Sequence, residues 1–388
     1  MSPETDATVA SAERAVLALN RSAHKDLGLV ARFLLRSEAI ASSYIEGIAP
    51  SPRNVALAEL GQDEEVRGLS EAAQEVARNM TIVREASDSM AGEEIVSVAD
   101  VERLQRTLVA VPDLQGIRGM QNWIGGSAYH PLEAAHVPPA PEDVPELLDD
   151  LVRYMNGAAH SPIIQAALVH AQFETIHPFP DGNGRVGRAL IHTVLTRRGL
   201  TADAILPVSL VLATLHERYI EGLTAFRWDG TANVPEAQVG LDAWIRVFAE
   251  AVTIAAQQAA KLEQRLGELR SDWEATVTTG RQRDGKVRAT RRDSALSMIL
   301  DALPGTPVLT TATVTRMHGV NTTAAQNALQ QLTDYGLLET LSIGRNRRAY
   351  VSLDVLDLIT MGERAMASKD FDTAVSLPSR PVPVRPAR

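Results

Sequence analysis

Residues 177–188 read HPFPDGNGRVGR, a run rich in glycine and charge that lies between two helical patterns. Before it, Ser161 and Pro162 supply a hydroxyl N-cap and a first-turn proline, and apolar residues then recur at helical spacing up to Ile176. After it, the helical period resumes and closes on the two arginines and the glycine of residues 197–199, which are typical of a helix C-terminus. The pattern predicts a mainly α-helical fold in which the glycines open the second helix.

The side chains of this run suit a site that holds a polyphosphate. The His177 imidazole can take up a proton near neutral pH, as a general base must. Asp181 provides a hard oxygen ligand of the kind that Mg²⁺ prefers when it also binds phosphates. Gly182 and Gly184 allow neighbouring main-chain N–H groups to point toward one anion.

Two arginines, Arg185 and Arg188, fall in the first turns of the second predicted helix. A helix N-terminus favours anions, by roughly 0.3–1 kcal/mol per group at exposed sites, so these cations have the wrong sign there. An anion bound between them removes the conflict. A dinucleotide-binding loop is excluded because it requires a preceding strand, and a Walker loop because its lysine is missing. The remaining alternative is a glycine-rich turn with surface ion pairs and a core histidine.

The run resembles the signature of the Fic/DOC family of Fic domain proteins, His-x-Phe-x-Asp/Glu-Gly-Asn-Gly-Arg-x-x-Arg, at every specified position. Most proteins with this signature transfer AMP from ATP to a hydroxyl side chain of a target protein. The resemblance implies that His177 is the general base, that Asp181 binds Mg²⁺ and that Phe179 is a hydrophobic anchor for the loop. It also implies a set of nucleotide-binding residues, namely Gly182, Asn183, Gly184, Arg185 and Arg188.

A second, shorter pattern lies near the N-terminus. Residues 26–46 have helical spacing and Gly47 follows them as a helix C-terminal glycine, so Glu46 lies at the helix end that disfavours acids. The run Ser42-Ser-Tyr-Ile-Glu-Gly47 resembles the inhibitory motif of the same family, Ser/Thr-x-x-x-Glu-Gly/Asn, in the class with an N-terminal inhibitory helix. The hypothesis is that Glu46 pairs with Arg188 and keeps the γ-phosphate of ATP out of its productive place. The alternative is an ordinary amphipathic helix end.

Residues 116–139 contain glycine and proline punctuation and no helical period. A loop of this length inside a compact domain is usually functional. The segment resembles the small β-hairpin flap that lies over the active site of Fic proteins, where an extended target segment adds as a strand. We therefore expect a target protein to dock its hydroxyl side chain at this flap. The alternative is a plain connecting loop.

The composition restricts the class of protein. The 388 residues are 45% hydrophobic and have a formal net charge of −10, which allows a large core and argues against nucleic-acid binding by the whole surface. No cysteine is present, so disulfides and thiolate metal sites are excluded. The sequence shows neither an apolar run of about twenty residues nor a signal peptide, so we expect no membrane contact and a cytoplasmic location.

The order of patterns predicts five regions. After a long amphipathic helix at 241–273, the change to threonine, glycine and arginine predicts a linker. The regions are an N-terminal helical region with the inhibitory motif (1–110), a Fic catalytic core (111–275), the linker (276–290), a winged helix-turn-helix-like α+β domain (291–366) and a disordered tail (367–388).

Residues 291–352 have the order helix, short strand, two helices and hairpin, which resembles a winged helix-turn-helix. In this interpretation residues 322–335 form the recognition helix and the arginine-rich turn at 343–348 lies in the wing. Residues 281–352 contain ten Lys or Arg and five Asp or Glu, a balance that suits a surface facing phosphates. The recognition helix has few base-reading side chains. The expected partner of this domain is therefore either DNA or a protein.

The leading hypothesis is an autoinhibited, Mg²⁺-dependent protein adenylyltransferase that uses ATP, with self-modification left open. The alternatives are removal of AMP, transfer from another nucleotide donor, and an ATP-sensing, DNA-binding transcription regulator. The presence of His177 favours an enzyme, because a protein that only senses ATP needs the phosphate-binding residues but not a general base. The sequence does not distinguish Tyr, Thr and Ser as the modified residue, and the resemblance allows a homodimer.

Overall fold

The structure, a computed structural model, describes residues 1–22, 27–127, 129–201, 205–228, 230, 234–285, 291 and 294–370. Most of this part of the chain is helical, in agreement with the predicted mainly α class. The α-helices are α1 (Pro3–Ser22), α2 (Leu27–Ile45), α3 (Pro52–Gly61), α4 (Glu71–Glu85), α5 (Val98–Leu108), α6 (Val144–Asn156), α7 (Pro162–Ile176), α8 (Asn183–Arg197), α9 (Val208–Thr214), α10 (His216–Phe226), α11 (Pro235–Arg283), α12 (Ala295–Ala302), α13 (Thr311–His318), α14 (Thr322–Asp334) and α15 (Leu353–Asp370).

The strands of the described residues lie near the C-terminus. They are β1 (Val308–Leu309), β2 (Glu339–Gly344) and β3 (Arg347–Val351), and they form one antiparallel sheet in the order β1-β3-β2. Asn346, with φ of 59°, adopts the left-handed conformation in the tight turn between β2 and β3. With α12, α13 and α14, these strands follow the predicted order of elements. The likeness to a winged helix stays a prediction.

One continuous cluster of buried apolar side chains runs from α1 to α15. It includes Val9 of α1, Phe173 of α7, Trp244 of α11 and Leu329 of α14. The core therefore connects the N-terminal helices with residues 294–370, which we call the C-terminal unit. The division of the chain into the predicted domains stays a prediction.

The central helix α7 positions the loop that carries the sequence signature. Apolar residues surround this helix on almost every side and nearly all of them are buried, as expected for a helix inside a core. It packs against α6, α8 and α11. Helix α2 packs against α4, α8 and α9, so its C-terminal end lies beside the start of α8.

The predicted linker at 276–290 is wrong in its first part, because α11 continues to Arg283. Val277 and Gly280 are buried in this extension. A Cβ added to Gly280 would lie 2.6 Å from Cδ1 of Tyr335, so the helix contacts the C-terminal unit through its backbone. Tertiary packing thus outweighs the weak helix propensity of threonine and glycine. Residues 286–290 lie outside the described part of the chain.

The ends of the C-terminal unit also differ from the expectation. Helix α12 begins at Ala295 because the Ser294 hydroxyl caps it by accepting a hydrogen bond from the N–H of Ser297. Helix α15 includes residues 367–370 of the predicted tail, and residues 371–388 lie outside the described residues. Within the described chain, no helix combines the length and the apolar character needed to cross a membrane.

The segment 116–139 forms a loop that a single antiparallel bridge holds together, between Ile124 and His136. The Ile124 N–H donates to the His136 carbonyl at 2.9 Å. Gly125 and Gly126, with φ of 76° and 70°, turn the chain directly after the bridge. The prolines of this segment lack the N–H that a longer ladder needs. Among its described residues the predicted hairpin is therefore one bridge rather than two paired strands.

Candidate active site

His177 follows the C-terminal end of α7 in a left-handed conformation, with φ of 47° and ψ of 62°. Such a backbone is uncommon for a residue with a side chain, and surrounding contacts must hold it. The His177 N–H donates to the Phe173 carbonyl at 2.9 Å. Its carbonyl accepts a hydrogen bond from Nε of Arg118 at 2.9 Å. The turn therefore ends the helix and fixes the base candidate at the first position of the loop.

The environment of the imidazole keeps it neutral. The pKa of His177 is lowered to about 4, chiefly by burial and next by the charge of Arg227. Glu46 acts in the opposite direction, and Arg118 again lowers the pKa. The ring is about 20% exposed, so it still reaches solvent. A neutral imidazole near pH 7 has the lone pair that a general base requires.

Phe179 and Asn183 lock the loop on itself. The Phe179 ring is fully buried and packs against Phe173, with 6.0 Å between ring centroids. The Asn183 Oδ1 atom accepts from the Phe179 N–H at 2.9 Å, and Asn183 Nδ2 donates to the Phe179 carbonyl at 2.8 Å. The anchor prediction for Phe179 agrees with this burial. The Asn183 amide makes its contacts inside the loop, and its role toward a nucleotide stays a prediction.

Asp181 and Gly182 form the outer corner of the loop. Gly182 has φ of 85° and immediately precedes α8, and a Cβ there would lie 3.0 Å from Cδ2 of Leu108. Asp181 Oδ1 accepts from the Gly182 N–H at 2.7 Å and lies 3.6 Å from Nη2 of Arg185. The Asp181 side chain is 47% exposed. Its carboxylate is thus oriented by the loop and accessible to an ion from solvent.

Both arginines of the signature are buried and paired with carboxylates. Arg188 Nη2 donates to Oε1 of Glu46 at 2.7 Å and to the Ser42 carbonyl at 2.8 Å, and its Nε donates to the Ser42 hydroxyl at 3.0 Å. Arg185 Nη1 donates to Oε1 of Glu75. The charge of Glu46 is one of the causes that raise the pKa of Arg188 above its already high ordinary value, against the lowering by burial. The pair of cations expected at the start of α8 is present.

Glu46 occupies the space above the first turn of α8. Gly47, with φ of 79°, ends α2 so that Glu46 faces this turn. A Cβ added to Gly184 would lie 2.0 Å from Oε1 of Glu46, so only glycine leaves room for the carboxylate. Burial by itself raises the pKa of Glu46, but the charge and hydrogen bond of Arg188 outweigh it and the pKa is lowered overall. The carboxylate is therefore an anion held at a helix N-terminus.

This loop and its surroundings match known proteins. Residues 96–195 match the model of the Fic/DOC family. This part of the chain is therefore similar to a Fic domain. The match begins just before α5 and ends within α8, so it includes the loop 177–188 and leaves out α2.

The relatives agree with this assignment over limited segments. A probable protein adenylyltransferase of Aquifex aeolicus is 42% identical over 64 residues, which cover 16% of this chain and 20% of that protein. The protein adenylyltransferase Fic of Drosophila sechellia is 34% identical over 110 residues, which cover 27% of this chain and 20% of that protein. The chain thus aligns with about a fifth of the length of these curated relatives.

A solved structure shares the fold over most of the chain. A Fic family protein from Desulfovibrio desulfuricans superposes with a TM-score of 0.53 at 20% identity, covering 91% of this chain and 97% of that chain. A Fic domain containing signaling protein from Bacteroides thetaiotaomicron has a TM-score of 0.50 at 20% identity and covers 66% of this chain and 96% of that chain. At this identity the likeness shows the fold alone.

Arg118 joins the flap to the signature loop of the Fic domain, and the sequence analysis missed it. Only 4% of its surface is exposed. Besides the His177 carbonyl, its guanidinium donates to the Pro139 carbonyl at 2.6 Å and to the Ile176 carbonyl at 3.4 Å. His136 makes a second link, because its Nε2–H donates to the Thr175 carbonyl at 2.9 Å. The same cluster therefore holds the base candidate and both ends of the flap.

Glu75, in the middle of α4, is the other residue that sequence reasoning missed. Its carboxylate pairs with Arg185 across 110 positions of sequence, and its own neighbours give no sign of this contact. It holds the Arg185 guanidinium, whose binding to phosphates stays a prediction. The predicted site residues converge around the start of α8 and the end of α2, and they are Ser42, Glu46, Gly47, His177, Phe179, Asp181, Gly182, Asn183, Gly184, Arg185 and Arg188.

The basic residues of the C-terminal unit are partly engaged by the N-terminal helices. Glu64, which follows α3, accepts from the Thr310 and Thr313 hydroxyls at 2.9 and 2.7 Å. Arg347 of β3 lies 3.6 Å from Glu64 and donates to the Glu65 carbonyl at 3.0 Å. These contacts dock the hairpin of β2 and β3 on the turn after α3. DNA or protein binding by this unit stays a prediction.

Proposed function

We propose that the chain is an autoinhibited protein adenylyltransferase, which transfers AMP from ATP to a hydroxyl side chain of a target protein. The observation that carries the proposal is the Glu46 carboxylate bound to Arg188 over Gly184, at 2.7 Å from the guanidinium. Three features suit this position to an anion: the Arg188 cation, the N-terminus of α8 and the absence of a Cβ at Gly184. The names of the aligned relatives, which are protein adenylyltransferases, support the same activity.

In the proposed reaction, His177 at the start of the loop 177–188 acts on the target hydroxyl, and Arg185 and Arg188 at its end act on the phosphates. The neutral Nε2 or Nδ1 atom of His177 removes the proton of the target hydroxyl, and the hydroxyl oxygen forms a bond to the α-phosphorus. The bond from the α-phosphorus to its bridging oxygen breaks, and pyrophosphate leaves with the electron pair. Arg185 and Arg188 neutralise the β- and γ-phosphates, so the leaving group develops its charge beside fixed cations.

Asp181 is suited to Mg²⁺. The ion usually binds through one or two carboxylates together with substrate phosphates, and Asp181 offers one oriented, half-exposed carboxylate beside the first turn of α8. When bound, Mg²⁺ supplies neutralisation of phosphate charge. In the part of the chain that the structure describes, no group of three acidic or histidine side chains forms a separate metal site.

The flap is the proposed docking surface for the target. Its exposed apolar side chains are Met120 at 81%, Tyr129 at 92% and Leu132 at 86%. Such side chains on one loop favour contact with another protein. The single backbone bridge leaves much of the flap backbone unpaired with a second strand, which suits the addition of an extended target segment.

The test compares wild type, Glu46→Gly, Glu46→Gln and the double variant Glu46→Gly/His177→Ala, each with Mg²⁺ and α-labelled ATP. We expect protein-bound label with Glu46→Gly, less with Glu46→Gln and none with the double variant. A γ-labelled parallel must leave the protein unlabelled, because the γ-phosphate departs. If no variant labels itself or proteins of a cell extract, the proposal is wrong.

The same reagents separate the alternatives. An enzyme that removes AMP would need Glu46, so Glu46→Gly would abolish release of AMP from a modified protein. A different nucleotide donor would displace ATP in competition and label in its place. A transcription regulator would bind DNA in a salt-dependent and ATP-dependent way without any transfer.

A further inference from the structure

Two polar atoms of residues near the end of α7 are buried without hydrogen-bond partners among the described residues: Oε1 of Glu174 and Nδ1 of His177. The other carboxylate oxygen, Glu174 Oε2, is 3.9 Å from His177 Nδ1. The two residues are three positions apart at the end of α7, so their side chains share one face of the last turn. A buried polar atom without a partner costs free energy. A shortening of the 3.9 Å separation between Glu174 Oε2 and His177 Nδ1 by about 1 Å would give Nδ1 a hydrogen-bond partner.

The surroundings hold the Glu174 carboxyl in this place. Gly187 of α8 provides the space, because a Cβ on it would lie 2.8 Å from Oε1 of Glu174 and 3.2 Å from Nδ1 of His170. The side chain is 8% exposed. Phe173 completes the wall, with its ring 2.9 Å from the same Cβ position. The carboxyl thus lies in the space that Gly187 leaves, with its other oxygen 3.9 Å from Nδ1 of His177.

Charged and titratable groups face Glu174 from each neighbouring element. Burial raises its pKa to about 7, and of the charges nearby Arg188 lowers the pKa, Glu46 raises it and Arg227 lowers it. Tyr219 of α10 and His170 of α7 lie behind it, joined by a 2.9 Å hydrogen bond between the Tyr219 hydroxyl and His170 Nε2. Burial lowers the pKa of His170 to about 3, so that ring is neutral.

We propose that Glu174 is a positioning residue for His177, whose carboxylate accepts a hydrogen bond from Nδ1–H and thereby directs the lone pair of Nε2 at the target hydroxyl. The inference rests on the proposed function, because it assigns His177 the role of base. It requires the 3.9 Å separation to shorten by about 1 Å, to hydrogen-bond length.

The proton balance is simple in this arrangement. The target hydroxyl proton moves to Nε2 as the oxygen bonds to the α-phosphorus, and the imidazolium that forms keeps its proton on Nδ1. Glu174 stays a carboxylate and stabilises the imidazolium, as the acid of a hydrolase triad does. When Glu174 is protonated, its O–H donates to Nδ1 instead, which leaves the proton on Nε2 and removes the base.

Glu174 has a second charged neighbour, and the experiment must separate the two. A carboxylate acting through Arg188 would orient the guanidinium and change the affinity for ATP. A carboxylate acting through His177 would change the chemical step. Glu174→Gln and Glu174→Ala, each combined with Glu46→Gly to release the site, are measured for kcat and for the KM of ATP. We expect kcat to fall about 10- to 100-fold, less than the roughly 10²–10⁴-fold of general acid–base catalysis as a whole, because the base itself remains, and we expect the KM of ATP to stay within about twofold.

The pH profile supplies a readout that a merely structural role would not move. In the Glu46→Gly parent, kcat should rise with pH as Glu174 loses its proton. The midpoint of this rise should lie at or below about pH 7, since loss of Glu46 removes one cause of the raised pKa of Glu174. This rise should be absent in Glu174→Gln. A rise that persists there would overturn the proposal, as would an increased KM of ATP with unchanged kcat.

A spectroscopic measurement tests the hydrogen bond between Glu174 and His177 without requiring that the protein transfer AMP. Long-range ¹⁵N–¹H correlation spectra of histidine-labelled full chain, assigned by comparison with His177→Asn, report which ring nitrogen carries the proton. We expect protonated Nδ1 in the Glu46→Gly parent at pH 8 and a mixture of tautomers in Glu174→Ala. If the tautomer is the same in both, Glu174 does not position the ring. If no variant transfers AMP but the tautomer depends on Glu174, the proposed function fails and the hydrogen bond stands.

Discussion

We expect the contact between Glu46 and Arg188 to set a measurable penalty on ATP binding. In the proposed function, Glu46 and the γ-phosphate of a productive nucleotide need the same guanidinium, so the carboxylate must leave before the phosphate can bind. The contact is one charge-assisted hydrogen bond of 2.7 Å, and such bonds contribute about 1.5–3 kcal/mol. Because the Glu46 side chain is 35% exposed, solvent screening restricts the value to the lower part, about 1.5–2 kcal/mol.

This free energy converts directly into affinity. At about 1.4 kcal/mol per factor of ten, Glu46→Gly should strengthen binding of a triphosphate by about 10- to 30-fold. Glu46→Gln keeps the volume and one acceptor but removes the charge, and since a neutral hydrogen bond contributes about 0.5–1.5 kcal/mol, its gain should be smaller. The Ser42 contacts of Arg188 remain in both variants, so the guanidinium stays in place.

Titration calorimetry with Mg²⁺ and an ATP analogue that has a methylene group between the α- and β-phosphorus measures this gain without turnover. AMP is the matched control ligand, because it lacks the phosphates that Arg188 would hold, and its affinity should stay within about twofold. A triphosphate gain below about twofold, or an equal gain for AMP, would refute the reasoning. In the first case the carboxylate does not compete with the nucleotide, and in the second it acts by closing the pocket as a whole.

Other contacts lead to expectations of the same kind. In the Glu46→Gly background, Arg188→Ala should abolish transfer and weaken triphosphate binding, and unchanged affinity by calorimetry would remove Arg188 from the phosphate site. In the wild-type background Arg188→Ala should lower the free energy of unfolding by at least about 1.5–2 kcal/mol, because Glu46 then loses its partner. Arg188→Ala with Glu46→Gln should recover part of that loss in denaturant titrations. Arg118→Ala should slow transfer about 10- to 100-fold and leave the ATP affinity within about twofold. The reason is that the carbonyls of His177 and Pro139 then lose the guanidinium that binds both of them. An equal loss of ATP affinity would assign Arg118 to the nucleotide instead. Glu174→Gln should stabilise the fold at pH 8 by up to about 3 kcal/mol and have little effect at pH 4. The reason is that folding raises the pKa of Glu174 from 4.5 to about 7, so the fold prefers the neutral carboxyl. The stability from this preference is complete below pH 4.5 and is lost as the pH rises through 7. Equal effects of that variant at both pH values in urea titrations would contradict the raised pKa.

The local features of the site were predictable because they depend on short-range chemistry. The start of α7 at Pro162, its end at Ile176 and the start of α8 follow from periodicity and from the conformations that proline and glycine favour. The predicted hydroxyl cap is wrong, because the Ser161 side chain makes no capping hydrogen bond. The pairing of Glu46 with Arg188 joins two helix ends that each carry the unfavourable charge. Here the sequence contains both halves of the contact.

The remaining contacts depend on packing that no local pattern contains. Glu75 and Arg118 lie on other elements than the residues they bind, and their sequence neighbours are unremarkable for an amphipathic helix and a loop. Glu174 looks like an ordinary helix residue until Gly187 of the neighbouring helix is seen to make room for it. The predicted linker failed for a related reason, because Val277 and Gly280 bury themselves against a unit that lies later in the chain.

The anchoring of α2 indicates how the site can open. In the middle of the helix, the buried Glu38 accepts from the Ser209 N–H at 2.8 Å and lies 3.0 Å from Nε2 of His192, which ties α2 to α8 and α9. The buried Arg36 pairs with Glu59 at 2.6 Å and donates to the Gly305 carbonyl at 2.9 Å, which ties α2 to α3 and the C-terminal unit. Breaking such buried pairs costs several kcal/mol each, whereas breaking the contact of Glu46 with Arg188, at the more exposed end of α2, costs about 1.5–2 kcal/mol. If ATP releases the site as proposed, we therefore expect one side chain to rotate over a fixed helix, and we expect displacement of the whole helix to need a partner that also acts on the C-terminal unit.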